Sequence, residues 1–140
     1  MNKIINIAVV GLGQVGIYLL NELNTKKKDI ELKTGKKIKI VAVSARNINK
    51  KRQFKVDKKL FYKNPLDILK KHQVDILFEA IGQSDGVSKS IVEAALKNGT
   101  HVVTPNKALI SKHGNVLSKL AEENNVCLLY TSPSPRDGLL

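Results

Sequence analysis

The stretch Ile4–Gly16, IINIAVVGLGQVG, joins a continuous apolar run to three glycines at G-x-G-x-x-G spacing. An apolar run that ends at glycine is typical of a buried strand, and apolar residues at helical spacing follow the loop. In this setting Gly11 permits a tight turn, Gly13 lets a pyrophosphate approach the backbone, and Gly16 lets the helix pack against the strand. The stretch therefore predicts a dinucleotide-binding loop, the alternative being a turn with only a structural role.

Apolar runs and helical patterns alternate along the rest of the chain. The predicted strands are Ile4–Val10, Lys37–Ser44, Leu60–Tyr62, Val74–Gly82, His101–Thr104 and Val126–Tyr130. Strands that alternate with helices predict an α/β fold, with a doubly wound, mainly parallel sheet and helices on both faces. Ligands on such a sheet bind at the carboxyl ends of the strands, near the switch in strand order.

Helix signals fill the segments between these strands. A helix is expected from Gln14 to about Asn24, and the lysine-rich sequence after it extends the helix and then turns at Gly35. Asn64-Pro65 opens another helix, with asparagine as the cap. Val87 begins the next helix. The stretch NKALISKHG predicts one or two helical turns that stop at Gly114, before a separate amphipathic helix.

Length and composition indicate one soluble domain. The 140 residues are enough for one core, which we place in residues 1–130. The ending TSPSPRDGLL, residues 131–140, is predicted to be a disordered or artefactual tail. A single cysteine, Cys127, fits a reducing cytoplasm. No apolar run approaches the roughly 20 residues that a membrane helix needs, so no membrane partner is expected.

The net charge of +12 comes mainly from lysines in short runs, with only three arginines. A nucleic-acid-binding protein more often interleaves arginines with aromatic residues, which are scarce here. We interpret the lysines as a solvated surface and expect no nucleic-acid partner. A basic nucleic-acid-binding domain is kept as an alternative, and the charge also favours an anionic ligand such as a cofactor phosphate.

The second predicted strand indicates which dinucleotide is bound. NAD-selective sites usually carry an acid at its end, but no Asp or Glu lies between Glu31 and Asp57. Arg46 stands there instead, followed by basic residues at positions 50–52, and a guanidinium binds phosphate through paired hydrogen bonds. The sequence therefore favours NADP, with NAD possible; otherwise Arg46 is a solvated loop residue.

Several longer motifs carry a family resemblance. GLGQVG, KIVAVSARN, FEAIGQSDG, EAALKNGTHVVTPNKALISKHG and LAEENNV resemble, in that order, the amino-terminal part of bacterial homoserine dehydrogenases. The resemblance covers about residues 4–130, and HVVTPNKALISKHG is its most specific part. It implies a Rossmann-type NAD(P)-binding domain of an enzyme that interconverts L-homoserine and L-aspartate 4-semialdehyde, a step towards threonine and methionine.

The resemblance also implies site residues. The pyrophosphate would be lined by Gly11, Leu12, Gly13, Gln14, Val15 and Gly16. Arg46 would lie near the adenosine ribose, and Ile81 and Gly82 near the middle of the cofactor. Thr104, Asn106 and Lys107 would lie near the nicotinamide, with Lys107 as the candidate for substrate positioning or proton transfer. The family usually has a small residue where Pro105 stands, which restrains Thr104.

Other polar residues receive weaker expectations. Glu79 ends a predicted strand near the ligand edge, with either a role near the cofactor or a structural one. Cys127 is expected to be a buried strand residue. The histidines at positions 72, 101 and 113 have no metal-like spacing with Cys127, so no metal site is predicted.

The catalytic domain that follows in the family is expected to be absent from this chain. Without it, the chain would bind cofactor but not turn over a small-molecule substrate. Homo-oligomer formation is implied for the intact family. The alternative function is a stand-alone NAD(P)-binding sensor or regulatory module.

Overall fold

A computed structural model describes residues 3–46 and 56–130. The strands are β1 (Ile4–Val10), β2 (Lys37–Ser44), β3 (Phe61–Tyr62), β4 (Ile76–Glu79), β5 (His101–Thr104) and β6 (Leu128–Tyr130). The α-helices are α1 (Gln14–Thr25), α2 (Lys27–Thr34), α3 (Leu66–Lys71), α4 (Val87–Lys97) and α5 (Lys107–Glu123), and a short 3₁₀ helix spans Lys58–Leu60. Every strand pair is parallel and the order is β3-β2-β1-β4-β5-β6, which confirms the predicted Rossmann-type fold.

The alternation of side chains along β1 divides the core into two layers. Ile7 and Val9 pack with Leu20 of α1 on one face of the sheet. Ala8 and Val10 pack on the other face with side chains of α3, α4 and α5. Because β1 is covered on both faces, its sequence is a continuous apolar run rather than an alternating one.

The switch in strand order lies between β1 and β4. From β1 the chain moves outward to β2 and β3, and from β4 it moves the other way to β5 and β6. The loops that follow β1 and β4 therefore leave the sheet in opposite directions and open a crevice between them. Val10 pairs with Glu79 at this end of the two strands.

Helix α5 corrects one prediction from the sequence. The helix does not stop at Gly114 but continues to Glu123 as one element. Its apolar residues Leu109, Leu117 and Ala121 are buried on both sides of the glycine. Burial of that face outweighs the roughly 1 kcal/mol cost of a glycine inside a helix.

Three predicted strands were too long. Leu60 lies in the 3₁₀ helix rather than in β3, and β4 begins at Ile76 rather than at Val74. Strand β4 ends at Glu79 rather than at Gly82, because the Glu79 side chain accepts hydrogen bonds from the Ile81 and Gly82 amides and turns the chain. Strand β6 begins at Leu128 rather than at position 126. The prediction that Cys127 is a buried strand residue was wrong, because it is exposed and precedes β6.

Two other local predictions are confirmed in part. Asn64-Pro65 opens α3, but the N-cap residue is Pro65 rather than Asn64, whose side chain accepts a hydrogen bond from the Leu66 backbone amide at 3.1 Å. The lysine-rich sequence after α1 is helical but does not extend α1: the helix is interrupted at Lys26, and α2 is a separate helix. The predicted turn at Gly35 is confirmed, with Gly35 in the left-handed conformation at φ 72°. Within residues 3–46 and 56–130, no helix has the length and apolar character needed to span a bilayer.

Candidate cofactor-binding site

The carboxyl ends of β1, β2, β3 and β4 surround a cleft of about 770 Å³. Its lining comes from the last residues of β1 and β2, from the segments that follow the four strands, and from the first residue of α4. The lining residues are Val10, Gly11, Leu12, Gly13, Ser44, Ala45, Arg46, Lys63, Asn64, Pro65, Ala80, Ile81, Gln83 and Val87. This is the edge of the sheet at which parallel α/β folds bind ligands.

Two glycines of the loop are required by the backbone itself. Gly11 has φ +94°, and a Cβ there would lie 2.6 Å from the carbonyl carbon of Ala80. A Cβ on Gly16 would lie 1.8 Å from the Gly11 carbonyl oxygen. The absence of a Cβ at both positions lets the start of α1 pack against the loop and the loop pack against the residues after β4. Gly16 therefore packs the helix closely, as the sequence predicts, although its direct neighbour is the loop itself.

Gly13 differs from both of them. Its φ of −78° and ψ of −159° are extended values that any residue adopts, and a Cβ there would meet no atom of residues 3–46 and 56–130 within 4 Å. The backbone therefore does not require a glycine at this position. An absent side chain that leaves open space beside a cleft is what close approach of a pyrophosphate requires.

The start of α1 faces the loop without a side-chain cap. Gly13 is the N-cap residue, no side chain accepts a hydrogen bond there, and the first turn carries no acidic residue. The first amides of an α-helix have no partner within the helix, and the helix dipole favours an anion beside them. Of the predicted loop residues, Gly11, Leu12 and Gly13 line the cleft, whereas Gln14, Val15 and Gly16 supply this helix end.

Two basic residues lie at the far side of the cleft from β4. Arg46 follows β2, is exposed and lines the cleft. Lys63 follows β3, the neighbour of β2, and also lines it. Sequence reasoning missed Lys63, since only the pairing of β2 with β3 brings it to the same edge. The other predicted basic positions, 50–52, lie outside the described residues.

Glu79 connects the residues after β4 with those after β5. It is completely buried, and its Oε2 accepts hydrogen bonds from the Ile81 amide at 2.9 Å and the Gly82 amide at 3.0 Å. Its Oε1 lies 2.6 Å from Thr104 Oγ1. Ile81 lines the cleft directly. The carboxylate therefore shapes one wall of the cleft from behind.

Thr104 and Asn106 have side chains that bond within the protein. Thr104 is completely buried, and Asn106 is 6% exposed. Asn106 Oδ1 accepts from the Leu109 amide at 3.1 Å and caps α5, while its Nδ2 donates to the Gln83 carbonyl at 2.7 Å. Lys107, the first residue of α5, is exposed. A carbonyl on the cleft wall is thus tied to the start of α5.

A charged cluster holds the rest of the β4–α4 loop against α5. Asp85 accepts a hydrogen bond from Lys112 Nζ, and its Oδ1 lies 2.7 Å from His113 Nε2. The hydrogen bonds from Lys112 and then His113 lower the pKa of the Asp85 carboxyl from 3.8 to about 2. The cluster is largely exposed, so it fixes the loop more than it stabilises the fold.

His72 and His101 form hydrogen bonds with other residues of the fold. His72 Nε2 lies 2.8 Å from the Tyr62 hydroxyl, and His101 Nδ1 accepts from the Cys127 amide at 2.9 Å. Across residues 3–46 and 56–130, no three His, Cys, Asp or Glu side chains are grouped as metal ligands would be.

The predicted site residues thus divide into two groups. Gly11, Leu12, Gly13, Arg46 and Ile81 line the cleft. The others do not line it: Gln14, Val15 and Gly16 form the start of α1, Gly82 follows β4, Thr104 ends β5, and Asn106 and Lys107 open α5. A sequence model described as "Homoserine dehydrogenase, NAD binding domain" matches residues 11–131. The chain belongs to the homoserine dehydrogenase family. The match confirms the resemblance read from the motifs.

Individual homoserine dehydrogenases agree with this assignment. That of Neisseria gonorrhoeae is 34% identical over 128 residues, which cover 91% of this chain and 29% of that protein. That of Bacillus subtilis is 28% identical over 137 residues, 98% of this chain and 31% of the relative. The S. aureus homoserine dehydrogenase crystallised at pH 6.0 superposes with a TM-score of 0.86 at 32% identity, over 94% of this chain and 33% of that one.

The chain therefore spans about a third or less of the length of these homoserine dehydrogenases. The matched part is the NAD-binding domain, and its fold is the one that the sequence predicts.

Proposed function

We propose that this chain is the cofactor-binding part of an enzyme that interconverts L-homoserine and L-aspartate 4-semialdehyde, and that it prefers NADP to NAD. The observation that carries the proposal is the open space at Gly13, in front of the uncapped start of α1 and at the switch in strand order. Glycine is not needed there for the backbone, so its use is explained by a ligand that approaches closely.

The preference for NADP is supported by the charges at the cleft. Arg46 and Lys63 line the side of the cleft next to β2, where a dinucleotide places its adenosine ribose. Arg46 follows β2 after only Ala45, and among the described residues that line the cleft none is a carboxylate. Two cations without a competing acid favour a 2′-phosphate over a 2′-hydroxyl.

The remaining half of the cofactor would extend towards the ends of β4 and β5. When bound, the nicotinamide ring exchanges a hydride with the carbon that bears the substrate hydroxyl. Lys107 stands at the start of α5 on this edge, where an ammonium donates to a substrate oxygen or exchanges its proton. Ile81 lines the cleft and contributes an apolar side chain to its wall on this side.

Turnover needs more than the cofactor site. Hydride transfer requires that a substrate be held against the nicotinamide, and we propose that the part of the relatives beyond this match supplies that contact. We also propose, from the resemblance alone, a place in threonine and methionine formation and a homo-oligomeric whole protein. A cytoplasmic location stays a prediction from the single cysteine.

A titration tests the cofactor preference. We expect this chain to bind NADPH more tightly than NADH, measured by calorimetry or nucleotide fluorescence. Arg46→Ala should weaken NADPH by about ten-fold to a hundred-fold, since a charged hydrogen bond contributes about 1.5–3 kcal/mol, and should change NADH little.

A matched control separates a local contact from net charge. Lys97→Ala removes one positive charge from the end of α4, at the opposite edge of the sheet, and should leave both affinities unchanged. Equal losses for NADPH and NADH in Arg46→Ala would contradict the assignment of a 2′-phosphate to that side chain.

A further inference from the structure

We propose that Glu79 is a positioning residue for the nicotinamide half of the cofactor site, acting through the backbone of Ile81 and Gly82 and through Thr104. This inference rests on the proposed function, because it concerns which half of the same cofactor a buried carboxylate controls. Glu79 does not line the cleft, so it acts only through other residues.

The hydrogen bonds form a continuous path from β4 to α5. Glu79 Oε1 lies 2.6 Å from Thr104 Oγ1. Thr104 Oγ1 in turn accepts a hydrogen bond from the Asn106 backbone N–H at 3.0 Å. Asn106 then caps α5, whose first residue is Lys107, and also donates to the Gln83 carbonyl. The path thus closes a ring between the two loops that flank this end of the cleft.

The direction of each hydrogen bond follows from the donors. The Asn106 amide donates to Thr104 Oγ1, so the single hydroxyl hydrogen of Thr104 is left to donate to Glu79. The Ile81 and Gly82 amides donate to the other carboxylate oxygen. All three groups that face Glu79 are therefore donors, which an acceptor-only carboxylate matches on both oxygens.

Position along the sheet limits the effect to one half of the cofactor. The residues in this path end or follow β4 and β5, whereas Arg46 follows β2 on the other side of the glycine loop. Disturbing the path should therefore displace the wall at Ile81 and the start of α5 without displacing Arg46 or Gly13.

Glu79→Gln is the most direct perturbation. The amide keeps the size of the side chain, but its NH2 group must face a donor: either the Thr104 hydroxyl or the two backbone amides. A buried donor left without an acceptor costs enough to drive the loop out of position. The substitution therefore keeps the size of the side chain but replaces one carboxylate oxygen, an acceptor, by an NH2 group, a donor.

The experiment compares two ligands that differ only by the nicotinamide ring, NADPH and 2′-phospho-ADP-ribose, with binding measured by calorimetry on the 140-residue chain. We expect Glu79→Gln to weaken NADPH by about ten-fold. The affinity for 2′-phospho-ADP-ribose should stay within about two-fold, because the adenosine half lies outside the path. A folded variant that weakens both ligands equally, or neither, overturns the proposal.

Threonine variants give an independent test should Glu79→Gln fail to fold. Thr104→Val removes the link between Glu79 and Asn106 and should reproduce the selective loss of NADPH affinity, whereas Thr104→Ser keeps the hydroxyl and should restore it. Thr100→Val is the matched control. Thr100 is as buried as Thr104, but its hydroxyl donates to the Val74 carbonyl at the opposite edge of the sheet, so neither affinity should change.

The outcomes separate the two proposals. A wild-type chain that binds neither ligand refutes the proposed function itself. A wild-type chain that binds both, with Thr104→Val indistinguishable from Thr100→Val, leaves the cofactor site intact and refutes only the role of Glu79.

Discussion

The substitution Gly13→Val separates binding from folding more cleanly than any other change in the glycine loop. Among the residues that the structure describes, no atom lies within 4 Å of a Cβ at this position, and φ −78° with ψ −159° is an extended conformation that a β-branched residue adopts. The free energy of unfolding should therefore change by less than about 1 kcal/mol. The new side chain instead occupies the space that we assign to the pyrophosphate.

The expected loss of affinity follows from the contacts that would be displaced. If the pyrophosphate moves away from two amides at the start of α1, about 3–6 kcal/mol of charged hydrogen bonding is lost. That corresponds to at least about a hundred-fold weakening. Because both cofactors share the pyrophosphate, NADPH and NADH should lose affinity together.

The assay is calorimetric titration of the purified variant with NADPH and with NADH, beside a thermal melt. Gly114→Ala is the control. The added Cβ would lie in α5, nearest to Ile110 Cγ2 at 3.2 Å, and Gly114 does not line the cleft. It should bind as the wild type does. A Gly13→Val protein that melts normally and binds NADPH at wild-type affinity would refute the placement of the pyrophosphate.

Four further outcomes are expected. Gly16→Ala should destabilise the fold by about 3 kcal/mol, seen in urea unfolding, because its Cβ would lie 1.8 Å from a backbone oxygen; an unchanged midpoint would contradict that packing. Lys63→Ala should weaken NADPH but not NADH in the same titrations, and equal losses would remove Lys63 from the 2′-phosphate site. Asp85→Asn should lower the melting temperature slightly at neutral pH. The pKa of Asp85 is lowered from 3.8 to about 2. The difference in melting temperature between the variant and the wild type should therefore be full above pH 3.8 and disappear as the pH falls through about 2. A difference in melting temperature that persists at lower pH would contradict the ion-pair explanation. Leu117→Ala should cost about 2–5 kcal/mol of unfolding free energy, since this side chain is completely buried on α5, and a loss under about 1 kcal/mol would show that α5 is not packed as described.

Local sequence patterns were sufficient to predict the parallel sheet and the glycine loop. The apolar run of β1 is continuous because the strand is covered on both faces, and the three glycines stand where a strand turns into a helix. Such features depend on residues that are close together in the sequence, so a pattern along the chain is enough to predict them.

Features that depend on pairing between distant segments were not predictable in the same way. Lys63 reaches the cleft only because β3 pairs with β2, and α5 continues through Gly114 only because Leu117 and Ala121 are buried beyond it. No local pattern around Lys63 carries that information. Around Gly114 the sequence predicts helix on both sides, but only the shared burial shows that the two helical stretches are one helix.

The role of Glu79 is an intermediate case. Its position at the end of a strand near the ligand edge is visible in the sequence. Its three donors come from its own loop and from Thr104, which is 25 residues further along the chain. The sequence therefore marks the residue but not the contacts that give it a function.

A crystal structure of this chain grown with NADPH tests the central claim most directly. We expect the pyrophosphate to lie within hydrogen-bonding distance of the first backbone amides of α1, directly over Gly13, with the 2′-phosphate beside Arg46. NADPH density elsewhere on the chain, or a pyrophosphate kept away from Gly13 by neighbouring side chains, would contradict it.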